Sequence, residues 1–290
     1  MSGGSRRGLH VAVIAGLSLL AMALAWSRAW ICDDAFITLR YAENTAAGLG
    51  PVYNRGEFVE GYSNPSWMYL TSLAIGQGLD PVAFVQWLGI LCLGALVPVT
   101  WLAGRRLLPG DTEFLPLAAI GVALHQHLHD FASCGLETLG FVLLVTLLFL
   151  VLARNEHPRQ WALASVLTVL ATTTRPDGVV VGATTGLLAV VASWRRRSIG
   201  PVTAFALPGF LLLLPFLAWR LLCYGELLPN TFYAKSANDP YAAQGWFYVR
   251  LFFDAYWVLW PALVALPLML LLRARGGAMP VIATLALGYL

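Results

Sequence analysis

The chain has 290 residues, of which 59% are hydrophobic and only 11% are charged. A soluble globular domain carries about 25% charged residues, so a water-soluble fold is excluded. The 18 basic and 15 acidic residues leave a net charge of +3 with a single lysine, which argues against binding to nucleic acid. The four cysteines form no CxxC motif, so neither a zinc framework nor a disulfide scaffold is indicated. The composition predicts an all-α membrane protein with several spans.

Nine apolar stretches are candidates to cross a hydrocarbon core about 30 Å thick. They lie at about residues 9–30, 81–104, 114–131, 136–153, 160–174, 177–194, 201–223, 254–272 and 278–290. The first follows Arg6 and Arg7, and we interpret it as a signal anchor, with a cleaved signal peptide as the alternative. The last stretch stops without a flanking charge. We therefore expect residues 1–290 to be one transmembrane domain that ends within its ninth span, without an outer soluble domain.

Arginines between the spans predict the orientation of the chain, because cytoplasmic turns are rich in basic residues. An N-terminus in the cytoplasm and a long outer loop at residues 31–80 place the following arginines on the inner side: Arg6, Arg7, Arg105, Arg106, Arg154, Arg159, Arg195, Arg196, Arg197, Arg273 and Arg275. Residues 66–79 are apolar but short for a span. They predict a helix along the outer membrane surface, with Trp67 and Tyr69 as interfacial aromatic residues.

Polar residues are concentrated in the first outer loop, directly after the first span. Asp33 and Asp34 precede a predicted helix at residues 35–47, which Gly48 and Gly50 end. One aspartate is explained by capping of that helix. Two adjacent carboxylates at a membrane boundary exceed what capping needs, so we predict a catalytic or ligand-binding role for at least one of them.

Further charged residues lie at predicted outer ends of spans. Lys235 either anchors the chain at lipid headgroups or binds an anionic group such as a lipid phosphate. Arg175 lies at a helix break, where it either pairs with Asp177 or lines a cavity. Glu137 begins a span, and it is either a partner of the helix dipole or part of a cavity that Asp33 faces.

Histidine and cysteine residues on the same predicted side leave two questions open. His125 and His129 are one helical turn apart, as metal ligands often are, although a polar helix end explains them as well. Cys32, Cys134 and Cys223 all lie near the outer side, where they could pair. The sequence has no GxSxG, Walker or GxGxxG motif, so we expect any reaction to use an activated donor delivered within the membrane.

Four motifs resemble those of the membrane-embedded C-type glycosyltransferase superfamily. They are the stretch DDAFITLRYAENTAAGLGPVYNRGEFVEGYSNPSW, followed in order by SCGLE, TRPDG and YGELLPNTFYAK. The resemblance covers about residues 9–275. Within the superfamily, it is greatest to the terminal β-(1→2)-arabinofuranosyltransferases of actinobacterial cell-wall assembly, although related sequences share these motifs. The implied fold is a polytopic helical bundle whose long first outer loop carries amphipathic helices next to the membrane.

The resemblance implies transfer of a sugar, with arabinofuranose favoured, from a polyprenyl-phosphate carrier to a cell-envelope polysaccharide or glycolipid on the outer side of the plasma membrane. Asp33 would be the general base, supported by Asp34, and the requirement for a divalent cation is left open. The implied donor-binding residues are Arg40, Arg175 and Lys235, and the implied sugar- or acceptor-binding residues are Asn54, Glu60, Tyr62, Asn64, Glu137 and Asn230. Several of the latter could instead hold a loop in place. The alternatives are a transporter of lipid-linked sugar and an inactive fragment of a transferase.

Overall fold

The computed structural model describes residues 3–107, 116–153, 157–234 and 241–257. These residues contain helices and no β-strand. The helices are α1 (Gly3–Ser27), α2 (Asp33–Ala46), α3 (Pro65–Gly76), α4 (Pro81–Leu107), α5 (Leu117–Leu124), α6 (Gln126–Ser133), α7 (Thr138–Leu152), α8 (Pro158–Thr174), α9 (Gly178–Arg196), α10 (Gly200–Tyr224), α11 (Asn230–Ala234) and α12 (Ala242–Ala255).

Four of these helices, α1, α4, α9 and α10, are each long and apolar enough to cross a membrane. A fifth candidate is the pair α6 and α7, which meets the same criterion together but bends by 120° between the two helices. The prediction of an all-α membrane protein with several spans is confirmed. The ninth predicted span and all but residues 254–257 of the eighth lie outside the described residues.

The predicted span at residues 114–131 differs from the structure, where the described residues form two short helices, α5 and α6. His125 separates them with an extended backbone (φ −75°, ψ 111°). The buried ring of His129 contacts the carbonyl oxygen of Ala123 through Nε2 at 2.8 Å. In a continuous helix that carbonyl would accept the amide of residue 127. A side chain therefore satisfies the carbonyl that the break leaves free.

The long helices pack in a chain of neighbours, α1 on α4, α4 on α7, α7 on α8, and α8 on both α9 and α10. One apolar core surrounds the fully buried Trp161 between α7, α8 and α9. A second core surrounds Ile90 and Leu93 between α1, α4 and α7. In a bilayer, close van der Waals packing of such side chains holds the neighbouring helices together.

At one end of this bundle, α2 and α3 cover the helix termini. Trp67 of α3 is buried and donates its indole N–H to the carbonyl oxygen of Gly135 at 3.1 Å, so it is not exposed at an interface. Gly135 has φ +87°, and a Cβ there would lie 2.7 Å from Ile31 Cδ1. Only glycine combines that backbone conformation with that close approach. The α6–α7 corner can therefore pack directly beneath α2 and α3.

Candidate active site

Asp33 and Asp34 are the first two residues of α2, and both are exposed. The preceding residue, Cys32, donates its backbone N–H to the carbonyl oxygen of Cys134 at 2.9 Å, which ties the start of α2 to the α6–α7 corner. Asp33 Oδ1 accepts the Asp34 amide at 2.9 Å. Within the described part of the chain, local contacts thus occupy one of the four carboxylate oxygens. The other three are available to a ligand, so the structure leaves more than a capping role for this pair.

A buried polar network begins one helical turn along α2. The hydroxyl of Thr38 donates to Asn64 Oδ1 at 3.1 Å, and the amide of Asn64 donates to Glu137 Oε2 at 2.7 Å. The other oxygen of Glu137 accepts a hydrogen bond from Arg175 Nη1 at 3.1 Å. Because residues 34 and 38 lie on the same face of a helix, Asp34 is about 6 Å along the helix axis from the start of this network.

Arg175 ends the network at the break between α8 and α9. Its side chain is one-third exposed, and besides Glu137 it contacts Asp177 Oδ2 through Nε at 3.2 Å and Nη2 at 3.1 Å. A guanidinium has five N–H groups, so these three bonds leave two. The structure thus shows the alternative in which Arg175 pairs with Asp177, and a role of Arg175 in a ligand cavity stays a prediction.

A second buried cluster joins the first outer loop to the end of α10. Arg220 donates to both carboxylate oxygens of Glu60, through Nε at 2.5 Å and Nη2 at 2.8 Å. Arg220 also donates to the carbonyl oxygen of Leu227. The backbone N–H of Asn230 donates to the carbonyl oxygen of Glu60 at 2.9 Å. These contacts support the alternative in which Glu60 holds a loop in place.

Tyrosines extend this cluster and remain protonated. Tyr62 and Tyr224 share a hydrogen bond of 3.0 Å between their hydroxyls, and Tyr224 donates to the carbonyl oxygen of Pro51. Burial raises the pKa of Tyr62 and raises that of Tyr69 to about 12. Burial likewise raises the pKa of Tyr41, whose hydroxyl donates to the carbonyl oxygen of Val59. Phenols in this state donate hydrogen bonds and do not act as bases.

The remaining predicted residues lie on the surface of this region. Arg40 is exposed, donates to the carbonyl oxygen of Tyr53 at 3.3 Å and lies 3.9 Å from Glu43. Asn54 is exposed and donates to Glu57 at 3.0 Å. The side chain of Asn230 is exposed. Lys235 lies outside the described residues.

The histidine and cysteine candidates separate in the structure. His125 lies at the α5–α6 break and packs its ring against that of His127, with the centroids 5.7 Å apart, while His129 is buried. This arrangement supports the polar helix end and not a two-histidine metal site. All four cysteines are free thiols.

One group of described residues places potential metal ligands close together at the start of α2. Ligand atoms of Cys32, Asp33 and Asp34 lie within 4.8 Å of one another. The two carboxylates suit a hard divalent cation, whereas the thiol does not. The sequence leaves a divalent cation open and assigns it no ligands, and this geometry does not test it.

Sequence reasoning missed Arg220 and Tyr224. Arg220 is a single charged residue inside the apolar stretch of α10, and such a residue is a signal in its own right, because an ionisable group there requires a partner. Its partner, Glu60, lies 160 positions away, so spacing gave no indication of the pair. Tyr224 is the first residue of the motif YGELLPNTFYAK, which was the available signal for it.

The comparisons with known proteins agree with the motifs. No family model and no solved structure matches the chain. A terminal β-(1→2)-arabinofuranosyltransferase of Corynebacterium glutamicum is 31% identical over 88% of this chain and 40% of its own length. The enzyme of the same name from Mycobacterium tuberculosis is 30% identical over 89% of this chain and 44% of its own length. The chain therefore spans less than half the length of these relatives, and over most of its own length it resembles terminal β-(1→2)-arabinofuranosyltransferases.

Proposed function

We propose that the chain is the membrane part of a glycosyltransferase that moves a sugar from a polyprenyl-phosphate donor to a cell-envelope glycan on the extracytoplasmic face of the plasma membrane. Arabinofuranose is the favoured sugar, because the relatives carry that activity in their names. The observation that supports the proposal most is the exposed carboxylate pair at the start of α2, which lies one helical turn before a buried network ending at Arg175, whose side chain is one-third exposed. This arrangement supports a carboxylate base and an anion-binding group on neighbouring elements.

The proposed reaction is a single displacement at the anomeric carbon. The carboxylate of Asp33 accepts the proton of the acceptor hydroxyl as its oxygen bonds to that carbon. The bond between the anomeric carbon and the phosphate oxygen breaks, and the electron pair leaves with the polyprenyl phosphate. Since a phosphate is already stable as an anion, an acid catalyst is less necessary. The two remaining N–H groups of Arg175, together with Arg40 and Lys235, stabilise the charge that develops on the phosphate.

Buried and exposed residues of the site have different roles in this proposal. Asn64 and Glu137 position Arg175, since their side chains are buried and already bonded to each other and to the guanidinium. Glu60 and Tyr62 position the first outer loop against the end of α10. Asn54 and Asn230 are exposed, and we assign them to the sugar or the acceptor.

Substitution of Asp33, the proposed base, tests this proposal with a single variant. Asp33→Asn keeps the size of the side chain and the oxygen that accepts the Asp34 amide, but it removes the base. We expect transfer from labelled polyprenyl-phosphoarabinose to an arabinan acceptor to fall by about 10²- to 10⁴-fold. Asp80→Asn is the matched control, because Asp80 is an exposed carboxylate at the same end of the bundle that accepts the Ala83 amide at 2.7 Å. Equal activity of the two variants would refute the assignment of Asp33.

A further inference from the structure

A cavity of about 680 Å³ lies at the opposite end of the bundle, in the hairpin between α9 and α10. This volume is within the range of about 300–1,000 Å³ that is typical of small-molecule sites. The residues that line it combine apolar side chains, including Val190, Trp194 and Ile199, with two arginines, Arg195 and Arg197. Trp194 and Ile199 are 80% and 77% exposed, so both side chains are accessible to a ligand in the cavity.

The hairpin itself is closed by its own serines, so the arginines are not needed to hold it. The amide of Gly200 donates to Ser198 Oγ at 3.2 Å, and the amide of Val202 donates to Ser193 Oγ at 3.1 Å. These bonds satisfy amides at the start of α10, which would otherwise attract an anion. Among the described residues, no ion pair or side-chain hydrogen bond involves the guanidinium groups of Arg195 or Arg197. The cavity is therefore lined by two arginines for whose guanidinium groups the described part of the chain supplies no charged or hydrogen-bonding partner.

The position of the cavity explains why apolar and cationic groups are combined there. Helix α9 has 19 residues and qualifies as a span, so its two ends are about 28 Å apart. Its first residue adjoins Arg175 of the candidate active site, and its last residues line the cavity. The cavity consequently lies at the membrane boundary on the face opposite that site. At such a boundary, a ligand with an anionic headgroup and acyl chains can contact the arginines with its headgroup and the apolar side chains with its acyl chains.

We propose that the cavity binds the phosphate headgroup of an anionic phospholipid, whose acyl chains lie against Trp194 and Ile199. Arg195 and Arg197 contact the phosphate, and the bound lipid fixes the α9–α10 hairpin at the membrane surface. This inference uses only the spans α9 and α10. It does not depend on the proposed transferase activity.

Photo-cross-linking of the full chain in nanodiscs tests the site. The probe is a phosphatidylglycerol with a photoactivatable group in its acyl chain, diluted into phosphatidylcholine, and labelled peptides are located by mass spectrometry. We expect the probe to label residues 190–202. Unlabelled phosphatidylglycerol should displace the probe and reduce this labelling, whereas phosphatidylcholine, inorganic phosphate and glycerol phosphate should not. Replacing Arg195 or Arg197 by Gln should reduce labelling at low probe concentration by about five-fold each.

The matched control is the double substitution Arg105→Gln with Arg106→Gln. These arginines belong to the same basic end of the bundle, but they have partners: Arg105 stacks on Trp101, and Arg106 donates to the carbonyl oxygen of Leu150 at 2.6 Å. The control should leave labelling of residues 190–202 unchanged. The proposal is overturned if the Arg195 and Arg197 variants are labelled as strongly as the unsubstituted chain, or if the control variant loses as much labelling as they do. It is also overturned if inorganic phosphate displaces the probe. Measurement of sugar transfer on the same samples reports the other proposal separately.

Discussion

Removal of the Arg220 guanidinium should destabilise the protein far more than removal of any exposed arginine. Glu60 is 3% exposed and Arg220 is 8% exposed, and the two side chains share two short hydrogen bonds. Arg220→Gln leaves the Glu60 carboxylate buried without its cation. Breaking a buried ion pair in this way costs about 3–5 kcal/mol. We expect a loss of that size in the free energy of unfolding.

The assay is unfolding of the purified chain in mixed micelles titrated with a denaturing detergent. Arg250→Gln is the matched control, because Arg250 forms an exposed pair with Asp254 at 3.7 Å. An exposed pair is worth about 0–1 kcal/mol, so this variant should unfold almost like the unsubstituted chain. Limited proteolysis adds a local readout, since loss of the buried pair should expose residues 51–64 to cleavage.

Reversal of the two charges separates the ion pair from the general effect of a substitution in α10. The double variant Glu60→Arg with Arg220→Glu restores opposite charges at the same two positions, so it should recover part of the lost stability relative to either single variant. The reasoning is refuted if Arg220→Gln is no less stable than Arg250→Gln, or if the double variant is no more stable than its singles.

Three further predictions follow from the same contacts. Arg175→Gln should lower transfer about 100-fold by removing a donor to the leaving phosphate. Asp177→Asn should lower it much less, because the hydrogen bond that Arg175 donates to Glu137 still holds the guanidinium in place. Measurement of kcat and KM for both variants checks this. Because burial raises the pKa of Glu60 above 4.5, the native state keeps this proton longer than the unfolded state. Stability should therefore fall as the pH rises from 4.5 toward neutrality, and Glu60→Gln, compared by melting midpoints at each pH, should lack this contribution. Tyr62→Phe removes the hydrogen bond between the two hydroxyls but leaves Tyr224 bonded to the carbonyl oxygen of Pro51, so it should cost about 0.5–1.5 kcal/mol in the same unfolding assay, and no change would contradict that contact.

The elements of the first outer loop could be predicted well from the sequence. The helix predicted at residues 35–47 is α2, and the short apolar stretch at 66–79 contains α3. Both predictions depend on local signals, namely the glycines that end α2 and the short apolar stretch of α3, and one sequence is enough to recognise such signals. The exposure of Asp33 and Asp34 follows from the same logic, because carboxylates favour the first turn of a helix.

Features that depend on distant partners could not be predicted in the same way. The alternatives for Glu137 were left open because the sequence does not place Asn64 and Arg175 on its two oxygens. The break at His125 was missed because it is stabilised by the ring of His129, and apolar periodicity does not report such a contact. Trp67 was expected at an interface because its burial depends on the close approach of Gly135.

The central claim is that the chain transfers sugar and does not merely move its lipid carrier across the bilayer. The most direct measurement uses proteoliposomes with labelled polyprenyl-phosphoarabinose and an arabinan acceptor supplied together. One readout is label covalently attached to the acceptor, and the other is donor that has crossed the bilayer. The account predicts label in the acceptor that disappears in Asp33→Asn and persists in Asp80→Asn. Movement of the donor across the bilayer without any labelled acceptor would contradict the account and favour a transporter.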